Sequence, residues 1–409
     1  MVLSGKDNSP STPVGGAIAS ANFELSSEHQ ALLDEMTVAS RREFADLCAR
    51  MDAESWWPDD GFARLARMGV LGATVPEIYG GAGLDLFEAG LVGQAIGRVE
   101  PSVSTTWQSH DNLCVHNLYR SANEDTRRRY LPRLCDGTSV GALGMTEPEA
   151  GSDALGGMRT TAVRDGDCYI LNGAKTFITN GPIADIVLVY AKTQPDLGKH
   201  GISAFVVERN FRGFSTSPPF DKMGIRGSPT GALYFDDCRV PVANLVGGEN
   251  EGLAVMMAGL DIERIFASMM VVGMAERAFE LALDYARERR QFGQPIGNFQ
   301  LIQSKLAEMF VELECMRGLC YRALARCSDM ESGGPPDRHT LHRLAAAAFL
   351  KAGEGCMRIC DEAVQIFGGS GFMRDTEVNR LYRAAKVYEI GGGTKEIRRI
   401  IIARELLRA

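Results

Sequence analysis

Residues 142–246 hold short β-prone runs that follow one another too closely for helices to lie between them. The runs YIL (169–171), IVLVY (186–190), SAFVV (203–207) and ALYF (232–235) are separated by turn signals. These are Asp165-Gly166, Asn172-Gly173, Asn180-Gly181-Pro182 and Gly227-Ser228-Pro229. A doubly wound parallel sheet needs crossover connections of about a dozen residues or more, so it is excluded. The spacing favours an antiparallel barrel or sandwich.

Both flanks read as helical. Leu32, Leu33, Met36, Phe44, Leu47 and Met51 recur at helical steps, and Pro76 and Gly80-Gly81 break the pattern. From 252 to 290 the pattern is continuous, on the order of 40 residues or ~60 Å if unbroken. A second long helix covers 344–367, and ESGGPPD (331–337) is a connecting loop, since paired Gly and paired Pro cannot continue a helix. The expected fold class is therefore α+β multidomain. An N-terminal helical domain (26–140) precedes the β domain (141–248), and a C-terminal helical domain (249–409) follows. Residues 1–25 are rich in Ser, Pro, Gly and Ala, with Lys6 the one basic residue. They lack the features of a secretory or transit signal and read as a loose tail on a cytoplasmic protein.

At 45% hydrophobic residues the chain is too apolar to be disordered throughout. Its longest dense apolar stretch, 344–350, is far short of a membrane span, so no membrane insertion is expected. The net charge of −8 argues against nucleic acid as a partner. The 10 cysteines form no framework and read as free thiols in a reducing compartment. The six histidines are scattered and no HExxH exists, so no metal is expected.

Three segments could carry chemistry. LGMTEPEAGSD (143–153) leads from a strand into a loop of small and hydroxylated residues, either a structural turn or an anion-binding loop. FGGSG (367–371) and Gly391-Gly392-Gly393-Thr394 are glycine clusters beside helices, either plain breaks or ligand-facing amides. Glu263 sits among Met256, Met257, Leu260, Ile262, Ile265 and Phe266, where a carboxylate is costly unless paired or functional. Glu263 and Arg264 could equally be a surface pair.

Together these motifs resemble the acyl-CoA dehydrogenase family, most of all its isovaleryl-CoA dehydrogenase branch. The likeness runs through VPEIYGGAGL (75–84), TEPEAGSD (146–153), GAKTFITNG (173–181), DKMGIRGSPT (221–230), RRQFGQPIGNFQ (289–300), QIFGGSGF (365–372) and YEIGGGTKEIRR (388–399). It implies α,β-desaturation of an acyl-CoA by bound FAD, electrons passing to an electron-transfer flavoprotein, and a homotetramer. Leu143, Gly144, Met145, Thr146, Gly151 and Ser152 would then line the flavin and its phosphates. Phe177, Ile178 and Thr179 would pack on the isoalloxazine. Arg289, Gln300, Gln365, Ile366, Phe367, Gly368 and Gly369 would grip the adenine end of a neighbouring subunit's cofactor. Thr394, Lys395 and Glu396 would complete the site. Ser152, Lys199, His200, Ala254, Asp261, Ile262, Arg264, Gly392 and Gly393 fall at substrate-contact positions.

Many relatives carry a glutamate where this chain has Gly392. The resemblance instead puts the base on the long helix, at Glu263, and gives the Gly392 amide the thioester oxygen to stabilise. Glu389 and Glu396 map to positions without a base role. Gly391 and Gly392 in place of larger side chains would leave room for a methyl branch on the acyl chain. Ala254 in place of the branch's usual tyrosine would lengthen the pocket and admit a longer or bulkier chain. An acyl-CoA oxidase using O₂ and a catalytically silent helical scaffold are the competing readings.

Overall fold

The computed structural model describes residues 25–408, so the tail expected at 1–25 lies almost wholly outside it. The N-terminal helices start where the sequence supplies caps. Ser26 accepts from His29 N ahead of the helix Ser27–Phe44, and Asp85 and Glu88 form a capping box ahead of Leu86–Val99. Pro101 opens the helix Pro101–Gln108, which runs into a π-helical stretch, Ser109–His116.

The central domain is one sheet built from β1 (Gly141–Gly144), β2 (Thr161–Asp165), β3 (Cys168–Thr179), β4 (Ile186–Lys192), β5 (Ile202–Glu208), β6 (Phe214–Thr216), β7 (Thr230–Pro241) and β8 (Leu245–Val246). Its order is β6-β7-β3-β2-β4-β5-β8, with β1 paired to β4. The pairings are antiparallel except β1/β4 and β2/β4, which are parallel. Asn172-Gly173 is a bulge inside β3, not a turn, and the register shifts between Leu171 and Gly173. Thr160 packs so closely here that a Cβ on Gly173 would lie 2.8 Å from its Cα. A second shift between Lys175 and Ile178 leaves Phe177 at φ +58°.

The C-terminal domain is dominated by the helices Gly252–Glu288, Gln300–Glu331 and Arg338–Phe367, with Lys395–Leu406 last. The first packs against Leu86–Val99 at very short range. A Cβ on Gly97 would run into the Met270 carbonyl, and one on Gly273 into the Gln94 carbonyl, so small residues face each other from both sides. The two helical domains therefore share one core, in which Trp107 stacks on Phe266. The pleat of β4 divides the rest: Ile186, Leu188 and Tyr190 face the helices, while Val187, Val189 and Ala191 face the sheet interior. All ten cysteines are free. Among the described residues no helix is long and apolar enough to cross a membrane, and no His, Cys, Asp and Glu cluster is placed to hold a metal.

Candidate active site

Met256, Gly259, Leu260 and Glu263 share one face of Gly252–Glu288, as steps of three and four residues require. That face meets Leu113 and Asn117 from the N-terminal domain, Leu143 and Met145 at the end of β1, and Tyr190 on β4. The cavity between them is ≈ 10 Å³, close to the room one water needs, and it opens to a mouth. Glu263 is the only carboxylate lining it. Gln108 Nε2 donates to the Glu263 backbone carbonyl at 2.9 Å, but among the described residues nothing bonds to its carboxylate. Burial pushes the Glu263 carboxyl above its ordinary range, and the charges of Arg264 and Arg398 oppose that rise.

Opposite Glu263 stands the glycine turn. Gly392 and Gly393 have φ of +64° and +88°, which L side chains avoid. A Cβ on Gly392 would lie 3.6 Å from Glu263 Oε1 and 2.8 Å from Phe349 Cε1. The turn thus points straight at the carboxylate and has no room for a side chain of its own. This corrects one expectation: Phe349 already fills the space at Gly392 that was to hold a methyl branch, and the open side is at Gly391. Two arginines fix the turn. Arg398 is fully buried, donates to the carbonyls of Tyr388 (2.8 Å), Phe349 (3.2 Å) and Gly391 (2.5 Å), and lies over the Phe349 ring. Arg264 reaches the Gly392 carbonyl at 3.5 Å and pairs with Asp261, which also binds His342 Nδ1 at 2.6 Å.

The segment 143–147 is pinned from below. Lys175 is buried, donates to the Met145 carbonyl (3.2 Å) and pairs with Glu147 (2.8 Å), while Thr176 N bonds the Thr146 carbonyl. Glu147 also accepts from the Arg159 and Thr160 amides. Beside it, the β3 bulge displays Phe177, 70% exposed in a left-handed conformation, with Phe220 at its edge. Ile178 is buried, and the Thr179 carbonyl takes the Ser109 hydroxyl. Gly151 and Ser152 lie exposed on the loop beyond.

Other expected residues lie elsewhere. Arg289 and Gln300 are exposed at the far end of the long helix, about 39 Å from Glu263 at ~1.5 Å per residue. Phe367 stacks on Tyr285 at 4.1 Å, which brings Gln365, Ile366, Gly368 and Gly369 to that same end. Thr394 caps the last helix through Ile397 N, Lys395 pairs with Glu389, and Glu396 is exposed. Burial would raise the Glu389 carboxyl, but Lys386 and Lys395 hold it below its usual range, so it is a saturated structural charge. Lys199 and His200 are exposed on Pro195–Gly201, next to the start of the long helix. Ala254 is exposed and Ile262 packs in the shared core, so neither lines the pocket. Sequence reasoning missed Leu113, Asn117, Tyr190 and Gly259, which no local pattern marks. It also missed His342 and Arg398.

Family models match the chain along most of its length: acyl-CoA dehydrogenase N-terminal domain over 26–138, middle domain over 142–238 and C-terminal domain over 250–407. The mitochondrial isovaleryl-CoA dehydrogenase of Pongo abelii is 42% identical, covering 83% of this chain and 79% of its own. A solved structure described as the electron transferring flavoprotein of Acidaminococcus fermentans superposes with a TM-score of 0.90 at 37% identity, covering 95% of this chain and 100% of its own. Butyryl-CoA dehydrogenase from Megasphaera elsdenii superposes with a TM-score of 0.89 at 35% identity, covering 95% and 100%.

Proposed function

The chain belongs to the acyl-CoA dehydrogenase family of flavoprotein oxidoreductases, and we propose that it α,β-desaturates a short or branched acyl-CoA of about isovaleryl size with FAD as its cofactor. One observation carries this reading: an unpaired, half-buried carboxylate, Glu263, closes a small apolar pocket directly opposite an amide-bearing turn that has no room for an acid of its own.

The residues present fit FAD. Phe177 offers an exposed aromatic face on a strained bulge, and Thr146, Ser152 and Thr179, none of them buried, supply hydroxyls nearby in the chain. When bound, the flavin supplies an acceptor for the β-hydrogen as hydride. The chain's own part is the other half of the reaction. The acyl tail enters the pocket and displaces water from Glu263. The Gly392 N–H donates to the thioester oxygen and stabilises the charge that builds there. Glu263 then takes the α-proton on its carboxylate oxygen. Burial raises its pKa above the ordinary carboxylate range, the direction that makes a carboxylate a stronger base. Arg264 and Arg398 hold the turn and keep the base from being protonated too early.

Arg289 and the 365–369 cluster cannot reach the cofactor of their own subunit over about 39 Å of helix. They serve a neighbour's, which makes a homotetramer part of the proposal. Exposed Phe292, Leu301, Phe372 and Leu407 provide apolar surface for such contacts. Electrons leave to an electron-transfer flavoprotein. Free thiols fit any reducing compartment; cytoplasmic residence belongs to this reading, and cell fractionation tests it.

The test is anaerobic titration of the purified flavoprotein with isovaleryl-, isobutyryl-, butyryl-, octanoyl- and citronellyl-CoA, following flavin absorbance. Bleaching by the short thioesters is expected. A colourless protein, or best turnover on octanoyl-CoA, would overturn the reading.

A further inference from the structure

Two polar atoms of residues lining the pocket beside Glu263 have no partner among the described residues. Tyr190 is fully buried on β4, and its hydroxyl makes no hydrogen bond. Asn117, 3% exposed, donates Nδ2 to the Leu113 carbonyl at 2.9 Å and leaves Oδ1 bare. Both residues line the pocket. The amide of Asn117 lies against Gly259, where a Cβ would run into Oδ1. Both lie beside one small cavity, so a guest that accepts from the phenol and donates to the amide oxygen, a water or a substrate group, would satisfy them.

We infer that the acyl tail of the natural substrate carries a neutral hydrogen-bonding group, a hydroxyl, held between Tyr190 Oη and Asn117 Oδ1. This rests on the assignment of Glu263 and its pocket given above. A hydroxyl accepts one hydrogen bond and donates another, which matches one phenolic donor and one amide acceptor. A hydrocarbon tail would cover both atoms and satisfy neither. A carboxylate is disfavoured, because the only charge lining the pocket is the Glu263 anion and no cation stands among its walls. Burial, and then the Glu263 charge, suppress ionisation of Tyr190, so it stays a neutral donor. Gly259, under the Asn117 amide, lies one helical turn from Glu263, about 6 Å along the axis. That offset corresponds to the end of a short acyl chain whose α-carbon faces the base.

A matched pair of thioesters tests this: 4-hydroxy-3-methylbutanoyl-CoA and 3-methylpentanoyl-CoA, in which a hydroxyl replaces a methyl. The holoenzyme is expected to favour the hydroxylated member in kcat/KM by on the order of 10- to 100-fold. Tyr190→Phe and Asn117→Leu should each cut that ratio, and the double variant should bring it to about one. Tyr190→Phe removes only a bare buried atom and should not lower the melting temperature; Asn117→Leu also gives up the Nδ2 bond to the Leu113 carbonyl and should lower it slightly, and either variant alone suffices if the other misfolds. Preference for the hydrocarbon, or a ratio unmoved by both substitutions, would overturn the inference and reduce the pair to holders of a buried water. If neither thioester reacts and Glu263→Gln matches wild type on every thioester of the wider panel, the site assignment itself falls, and this inference with it.

Discussion

Glu263 and Glu276 stand on the same helix, and both are largely withdrawn from solvent, yet they are treated in opposite ways. Glu276 is 3% exposed and held through one oxygen: Oε1 accepts from Gln94 Nε2 at 3.0 Å and from Arg317 Nε and Nη2 at 2.9 and 2.7 Å, while Oε2 takes no hydrogen bond among the described residues and has only the Arg98 guanidinium at 3.9 Å. Glu263 receives nothing at its carboxylate among the described residues, although Arg264 is its chain neighbour. Arg264 turns instead to Asp261 and the Gly392 carbonyl. A buried charge kept for structure is surrounded by donors, since an unpaired one is costly. A charge proposed for chemistry gains from having no donor on either oxygen, because every donor on a base weakens its pull on a proton.

The contrast can be broken at either end. The largest effect is expected from Glu263→Gln, which should slow flavin bleaching by about 10³- to 10⁴-fold while acyl-CoA still binds and the melting temperature holds. Stopped-flow absorbance with a parallel thermal melt reads both. Next is Gly392→Ala. It forces a Cβ against Phe349 at positive φ and displaces the amide, so kcat should fall about 10²-fold, measured in steady state. Glu276→Gln should do the reverse of Glu263→Gln, costing about 3 kcal/mol in denaturant unfolding with flavin reduction per folded enzyme unchanged. The smallest effect sharpens the comparison. Arg398→Gln removes a cation that favours ionised Glu263, so the acid limb of kcat/KM should move to higher pH. Arg398→Lys keeps the charge and should leave the limb nearly in place. A pH–rate profile between about pH 5 and 8 separates the two.

Much of this architecture was legible in the chain. Closely spaced β runs between helical flanks gave the order of the domains, and the apolar neighbours of Glu263 on a continuous helix marked that carboxylate as unusual. The turn Asn172-Gly173 misled, because the same dipeptide suits a bulge when a neighbouring strand end, here Thr160, comes too close for a Cβ. Ala254 misled because it was taken from the resemblance; nine residues before Glu263 at about 100° each, it stands on the opposite side of the helix. Asn117 and Tyr190 could not be read at all. They reach Glu263 from a helix and a strand distant in sequence, and only tertiary packing brings them together. The two short parallel pairings of β4 were equally invisible, since the runs alone do not say which edges meet.

One uninterrupted helix runs from Glu263 to Glu288, the residue before Arg289. Distance and rotational phase between them are therefore set by backbone hydrogen bonding and not by how domains dock. A single inserted residue between the two turns the distal end by about 100° and shifts it by about 1.5 Å. Side-chain swaps along this segment leave its pitch alone; insertions and deletions do not. In the proposed homotetramer, such a change should spare the monomer's fold yet leave each subunit's outreach aimed past its neighbour, so that dinucleotide is lost before stability is.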